Sequence, residues 1–225
     1  IRRCLVGSEM CIRDRSKRIP NAILLSGNGK NKLRSALDFC KTILTEGEEG
    51  DRKLKLEKMC ESFSHPDLHY IFPIPSSTKP VENRCDFYYN KWREALTEMG
   101  VELTMNKWIE KLDCGNKQPF IGVNSVEPLS QKLIISAFEK KHKIVLFWGA
   151  ERLNSEATNK ILKMVEEPGD KTSFVFITEK ARDLLPTLVS RCQTIVFEGL
   201  KEYNNISVEL EPVSYTHLTL PTNSG

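Results

Sequence analysis

The stretch Ile144–Phe197, IVLFWGAERLNSEATNKILKMVEEPGDKTSFVFITEKARDLLPTLVSRCQTIVF, decides the fold. IVLFW (Ile144–Trp148) is continuously apolar, as a strand buried on both faces of a parallel sheet must be. Asn154 then offers a side-chain cap, and Ala157, Ile161, Met164 and Val165 recur at i, i+4, i+7 and i+8, the period of one helical face. Pro168-Gly169 stops that helix. SFVFIT (Ser173–Thr178) is a second apolar strand, followed by a short helix around Leu184–Ser190 and a last strand at Thr194–Phe197. Strands alternating with helices imply parallel βαβ crossovers. The fold class expected is therefore α/β: a three-layer parallel sheet of the P-loop type with helices on both faces.

Working outward toward the N-terminus, Ser125–Phe138 carries Val126, Leu129, Leu133 and Ala137 at helical spacing, and Ile121–Val123 reads as extended. Asp86–Met99 places Phe87, Trp92, Leu96 and Met99 on one stripe, and Met105–Leu112 forms another short helix; core packing accounts for these aromatics. Leu68–Ile74 is a strand candidate ended by Pro73 and Pro75. Thr45–Lys58 reads as a solvated connection leading into a short helix near Leu54–Phe63. Asn21–Ser26 is an apolar strand, followed by GNGKNK and an amphipathic helix with Leu33, Ala36, Leu37, Cys40 and Leu44 on one face.

Composition limits the function classes. The 225 residues are 40% hydrophobic and 28% charged, with 33 Lys+Arg against 30 Asp+Glu and a formal net charge of +3. That balance does not announce a polyanion-binding surface, and no apolar run approaches the roughly 18 residues of a membrane span. Residues 1–14 and 213–225 lack a period of 3.6 or 2. They resemble translated sequencing-adapter read-through and are expected to be non-native tails. The domain expected is then 15–200, with an insertion at 78–117 and the start of a truncated second domain at 201–212. Cys40, Cys60, Cys85, Cys114 and Cys192 form no CxxC, which fits a reducing cytoplasm and no disulfide framework.

A strand, a glycine-containing turn and a helix are the setting of a phosphate loop, so Gly27–Leu33 is tested against G-x-x-x-x-G-K-[ST]. It fails. Counting from Gly27, Lys32 stands at the second glycine, Leu33 at the lysine and Arg34 at the hydroxyl. A one-residue deletion makes Lys32 the lysine but leaves Asn31 for glycine and Leu33 for Ser/Thr. The degenerate loop Gly27, Gly29, Lys30, Asn31, Lys32 thus loses the backbone wrap and the magnesium-binding hydroxyl, so no ATP cofactor is expected. The acids that should end the Ile144–Trp148 strand are replaced by Trp148 and Gly149. Glu151, the nearest acid, reads as a solvated turn residue.

NKILKMVEEP (Asn159–Pro168), the strand Phe174–Thr178 and LLPTLVSRC (Leu184–Cys192), in this order and spacing, resemble the AAA+ module of bacterial DNA polymerase III clamp-loader subunits, those of the delta-prime type above all. The resemblance covers about Ile19–Leu200, includes HPDLH at His65–His69, and is vague between Thr78 and Lys117. It implies a non-hydrolysing subunit of a replicative DNA polymerase complex, without catalysis of its own. Implied partners are other clamp-loader subunits, a sliding clamp and primer–template DNA through the complex, with no membrane. Arg191 would be an arginine finger acting in trans on ATP held by a neighbour, and Ser190 and Cys192 would position its loop. The family's four-cysteine zinc module is reduced here to Cys60, so no zinc or other metal is expected; His65 and His69 read as hydrogen-bonded structural residues. Two rival readings are an active AAA+ ATPase using Lys30 and Lys32, and a stand-alone DNA-binding module, which near-neutral charge disfavours.

Overall fold

The computed structural model describes residues 2–3, 19–28, 31–115, 117–134 and 142–197. Six parallel strands form one sheet: β1 (Arg2–Arg3), β2 (Ala22–Ser26), β3 (Leu68–Ile71), β4 (Lys143–Trp148), β5 (Thr172–Ile177) and β6 (Gln193–Val196), in spatial order β1-β6-β2-β5-β4-β3. The helices are α1 (Lys32–Thr45), α2 (Gly50–Glu61), α3 (Tyr89–Met99), α4 (Met105–Leu112), α5 (Val123–Ile134), α6 (Ser155–Glu166) and α7 (Pro186–Ser190). Every residue of β2, β4 and β5 is buried, so both faces of these strands are covered. Their unbroken apolar runs, with no polar alternation, reflect that double burial. The α/β class expected from the sequence is the class observed. Among the described residues no helix is long and apolar enough to cross a membrane.

The chain's own capping chemistry sets the element ends. Asn154 Oδ1 accepts the Ala157 backbone N–H at 2.8 Å and starts α6. α6 then buries Ala157, Thr158, Ile161 and Val165 and packs beside α5. α1 lies over β2, β4 and β5 and packs with α2. Leu33, Ala36, Cys40 and Leu44 are buried in it, whereas Leu37 is only partly so.

Several boundaries move. α2 begins at Gly50, inside the stretch read as a solvated connection. β3 stops at Ile71; Ile74 instead makes an isolated antiparallel bridge to Phe120, with both N–H···O bonds at 3.0 Å. Pro73 and Pro75, which carry no N–H, cannot continue the ladder. The Ile74–Phe120 bridge closes the base of the 78–117 segment. Phe87 is not on the apolar stripe of α3: it belongs to a preceding 3-10 turn (Cys85–Tyr88) and is 55% exposed. A 3-10 turn advances about 120° per residue instead of 100°, so the phase carried through Trp92 and Leu96 does not extend back to it.

Among the described residues Trp92 and Trp108 are the largest fully buried side chains, and both come from the 78–117 segment. Trp92 stacks on Phe72 (centroids 4.5 Å, 12°), Trp108 meets both edge-on at 5.3 Å, and Trp148 tilts against Trp92 at 5.2 Å. Trp108 Nε1–H donates to the Pro73 carbonyl at 2.8 Å. Aromatic pairs in such geometries add about 0.5–1.5 kcal/mol each beyond area burial. This four-ring cluster packs the 78–117 segment against the end of β4.

Of the expected tails, Arg2–Arg3 pairs with β6 (Arg2↔Ile195, Arg3↔Val196). The rest of 1–14, and all of 201–212 and 213–225, lie outside the described residues.

Candidate functional site

The carboxyl ends of β2, β4 and β5 open into a cavity of about 720 Å³ lined by Asn28, Asn31, Lys32, Leu33, Trp148, Gly149, Glu151, Ile177, Thr178 and Glu179. In a parallel α/β sheet this end is where ligands bind. The 78–117 segment supplies the remaining wall, from Glu102, Leu103, Thr104, Met105 and Lys107.

Of the loop Gly27–Lys32, the structure describes Gly27, Asn28, Asn31 and Lys32. Gly27 adopts φ +107°, and a Cβ there would fall 2.2 Å from the Phe197 carbonyl oxygen. Its glycine is required by the close approach of β6, whose Phe197 N–H donates to Ser26 O at 2.7 Å. Asn31 precedes the first turn of α1 and makes no side-chain cap. The buried Lys32 ammonium folds back to donate to the Gly27 carbonyl. Burial lowers its pKa, opposed by the carboxylates of Glu179 and Glu151. Gly29 and Lys30 lie outside the described residues.

At the end of β4, Trp148 is buried in the aromatic cluster, and a Cβ on Gly149 would lie 2.7 Å from Met105 Cε. A side chain at Gly149 would be strained by its φ of +71° and would press on Pro73 Cγ at 3.1 Å as well as displace the Met105 methyl. Glu151 requires a correction. It is only half-buried in the turn Ala150–Arg152, but it faces the cavity and accepts the Thr178 hydroxyl at 2.7 Å, and Thr178 Oγ1 in turn accepts the Lys180 N–H at 3.1 Å. A 3-10 turn after the strand redirects the side chain to the sheet end; the sequence alone carried no signal for that. Among the described residues that line the cavity, three are carboxylates, Glu102, Glu151 and Glu179, and two are lysines, Lys32 and Lys107. Lys107 is itself 3.6 Å from Glu102.

Arg191 stands at the amino end of the sheet, opposite the cavity. β6 runs parallel to β2 with Gln193 beside Ile23 and Val196 beside Ser26. Arg191 precedes the start of β6, and the strand's four residue steps from Gln193 to Phe197 put about 13 Å between it and the cavity end. It ends α7, with Nη1–H donating to Thr187 O at 2.9 Å and Nη2 2.5 Å from Glu166 Oε1. Ser190 Oγ–H donates to the same Thr187 carbonyl at 3.0 Å. Cys192 is partly buried, and burial pushes its thiol up to about 12. Thus Ser190, Arg191 and Cys192 form one turn anchored on α7, and Glu166, the last residue of α6, is the partner sequence reading missed. The motif EEP carried Glu166, but nothing in its spacing indicated contact with a residue 25 positions later.

The metal-site candidates do not converge. Cys60 is buried on α2, its pKa raised by desolvation to about 11. His65 is buried, its Nδ1 accepting the Asp67 N–H at 3.2 Å. His69, on β3, is held near a pKa of about 4, first by burial and then by the Lys132 ammonium. Among the described residues no group of three or more His, Cys, Asp or Glu is arranged to hold a metal ion.

Comparison with known proteins places this geometry. A family profile described as "DNA polymerase III, delta subunit" matches residues 11–201. The chain is 27% identical over 187 residues to DNA polymerase III subunit delta' of Bacillus subtilis, covering 82% of this chain and 44% of that protein. It is 37% identical over 90 residues to the delta' subunit of Haemophilus influenzae (36% of this chain, 28% of that one). A solved structure of a DNA polymerase III gamma subunit-related protein from Thermotoga maritima aligns with a TM-score of 0.47 at 18% identity, covering 82% of this chain and 43% of that one. The chain spans less than half the length of these relatives.

Proposed function

Because this chain belongs to the DNA polymerase III delta subunit family, we propose that it is a non-hydrolysing clamp-loader subunit acting on a neighbour's ATP through Arg191. The observation that carries this reading is the separation of two features on one sheet. The cavity at the carboxyl end of the sheet carries Trp148 and Gly149 where acids would be needed and is lined by Glu102, Glu151 and Glu179 among other residues, while a half-exposed guanidinium lies at the amino end of the same strands. An arginine placed there cannot serve its own cavity and is available to an adjacent subunit. Presented to a γ-phosphate, a guanidinium stabilises the charge of the transition state, an effect of about 10³–10⁵ in rate in phosphoryl transfer. Ser190 and Cys192 position its turn. The activity is exercised with other clamp-loader subunits, which together open a sliding clamp on primer–template DNA in the cytoplasm.

The test is made in the full-length protein assembled with its partner subunits. Arg191→Ala leaves assembly largely intact and sharply lowers DNA- and clamp-stimulated hydrolysis at the one neighbouring site. Arg191→Lys fails as well, because a point charge does not replace planar multidentate contact. Wild-type hydrolysis by an assembled Arg191→Ala complex, site by site, would show Arg191 to be structural.

A further inference from the structure

The Arg191 guanidinium is engaged in its own subunit: Nη2 lies 2.5 Å from Glu166 Oε1 and Nη1–H donates to the Thr187 carbonyl. Both terminal nitrogens needed for a two-pronged grip on phosphate are thus directed back onto α6 and α7. We propose that Glu166 is a latch that competes with the neighbour's γ-phosphate for Arg191, so that the arginine leaves its own subunit only when that phosphate is present. The inference rests on the trans-acting reading of Arg191 above.

The chemistry favours exchange over a permanent bond. The two side chains remain 39% and 46% exposed, so water and salt weaken the pair. A terminal phosphate offers three oxygens and more negative charge than one carboxylate, and it takes a guanidinium in a planar, multidentate contact. A diphosphate lacking that group gives Arg191 no better partner than Glu166. The Thr187 carbonyl, being neutral, adds direction but no competing charge. Glu166 is well placed to hold the latch: it closes α6, whose N-terminal cap and buried face fix its position relative to α7. Glu166 touches no reacting atom and acts only through Arg191.

The experiment measures association of the full-length protein with its nucleotide-loaded neighbour, using ADP or ADP–beryllium fluoride as the probe that lacks or mimics the γ-phosphate. Glu166→Gln keeps size and hydrogen bonding but removes the charge. It should tighten association about two- to fivefold with the beryllium fluoride complex, the scale of an exposed ion pair, and leave the ADP complex unchanged. In an Arg191→Ala background the same change should have no effect, which a purely structural role for Glu166 would not produce. If Arg191→Ala lowers neighbour hydrolysis, or weakens association severalfold with the beryllium fluoride complex, but Glu166→Gln leaves that association unchanged or weaker, the latch is wrong and the trans-acting arginine stands. If Arg191→Ala alters neither association nor neighbour hydrolysis, the trans-acting reading itself fails and the latch goes with it.

Discussion

Replacing Gly27 with alanine separates two explanations for a glycine at the head of a failed phosphate loop. The backbone there sits at φ +107°, and the new methyl would lie 2.2 Å from Phe197 O and 3.1 Å from Phe197 C. Both contacts are to backbone, so no rotamer change relieves them. Holding an L-residue in such a conformation costs about 1–3 kcal/mol. Pushing the end of β6 away strains or breaks the Phe197 N–H···O Ser26 bond, worth about 0.5–1.5 kcal/mol. Loss of unfolded-chain entropy returns about 0.4–1 kcal/mol. The net expectation is about 1–4 kcal/mol of destabilisation, a Tm lowered by several degrees at about 2–4 °C per kcal/mol for a chain of this size. Urea and thermal unfolding measure it. Gly47→Ala is the control, because it too has positive φ (+70°) but meets nothing within 4 Å, and it should cost less. If Gly27→Ala unfolds at the same urea concentration as the parent, or no earlier than Gly47→Ala, the close approach to β6 does not hold that glycine in place.

Three further outcomes are expected. Titration with a fluorescent ATP analogue and magnesium should show no low-micromolar binding to the chain, given Asn31 and Leu33 in the loop and Trp148 and Gly149 in place of acids at the end of β4. His69 has its pKa depressed from 6.5 to about 4 by burial and then by Lys132. Its neutral form is therefore favoured on folding, and the stability it contributes is complete above pH 6.5 and is lost as pH falls from there toward 4, up to about 3 kcal/mol. Urea unfolding between pH 7.5 and 5 should show that slope, and His69→Leu should flatten it. Cys192, pushed up to about 12 by burial, should react with iodoacetamide at pH 8 about 10³-fold more slowly than an exposed thiol; peptide mapping of timed samples reads the ratio, and equal rates would refute the assignment.

Local pattern carried the sheet and its helices. Ile144–Trp148 and Ser173–Thr178 read as buried strands because double burial permits no polar alternation, and β4 and β5 are buried throughout. Asn154 read as a cap because its oxygen reaches only as far as its own helix start, and it does so at 2.8 Å. The failure of the Gly27–Leu33 loop against its motif was equally legible, since each position is compared by residue type alone. Long-range placement was not. That Met105 and Pro73 lie beside Gly149, that Glu151 turns into the cavity, that Phe87 drops out of its stripe and that Glu166 meets Arg191 all depend on which surfaces the parallel crossovers bring together. Sequence by itself determined what short-range sterics, caps and hydrophobic periodicity dictate: the α/β class and the buried strands, together with the mismatch of Gly27–Leu33 to the phosphate-loop pattern. Tertiary structure decided the rest, because contacts across 25 to 45 residues are set by packing, which leaves no periodic trace in the chain.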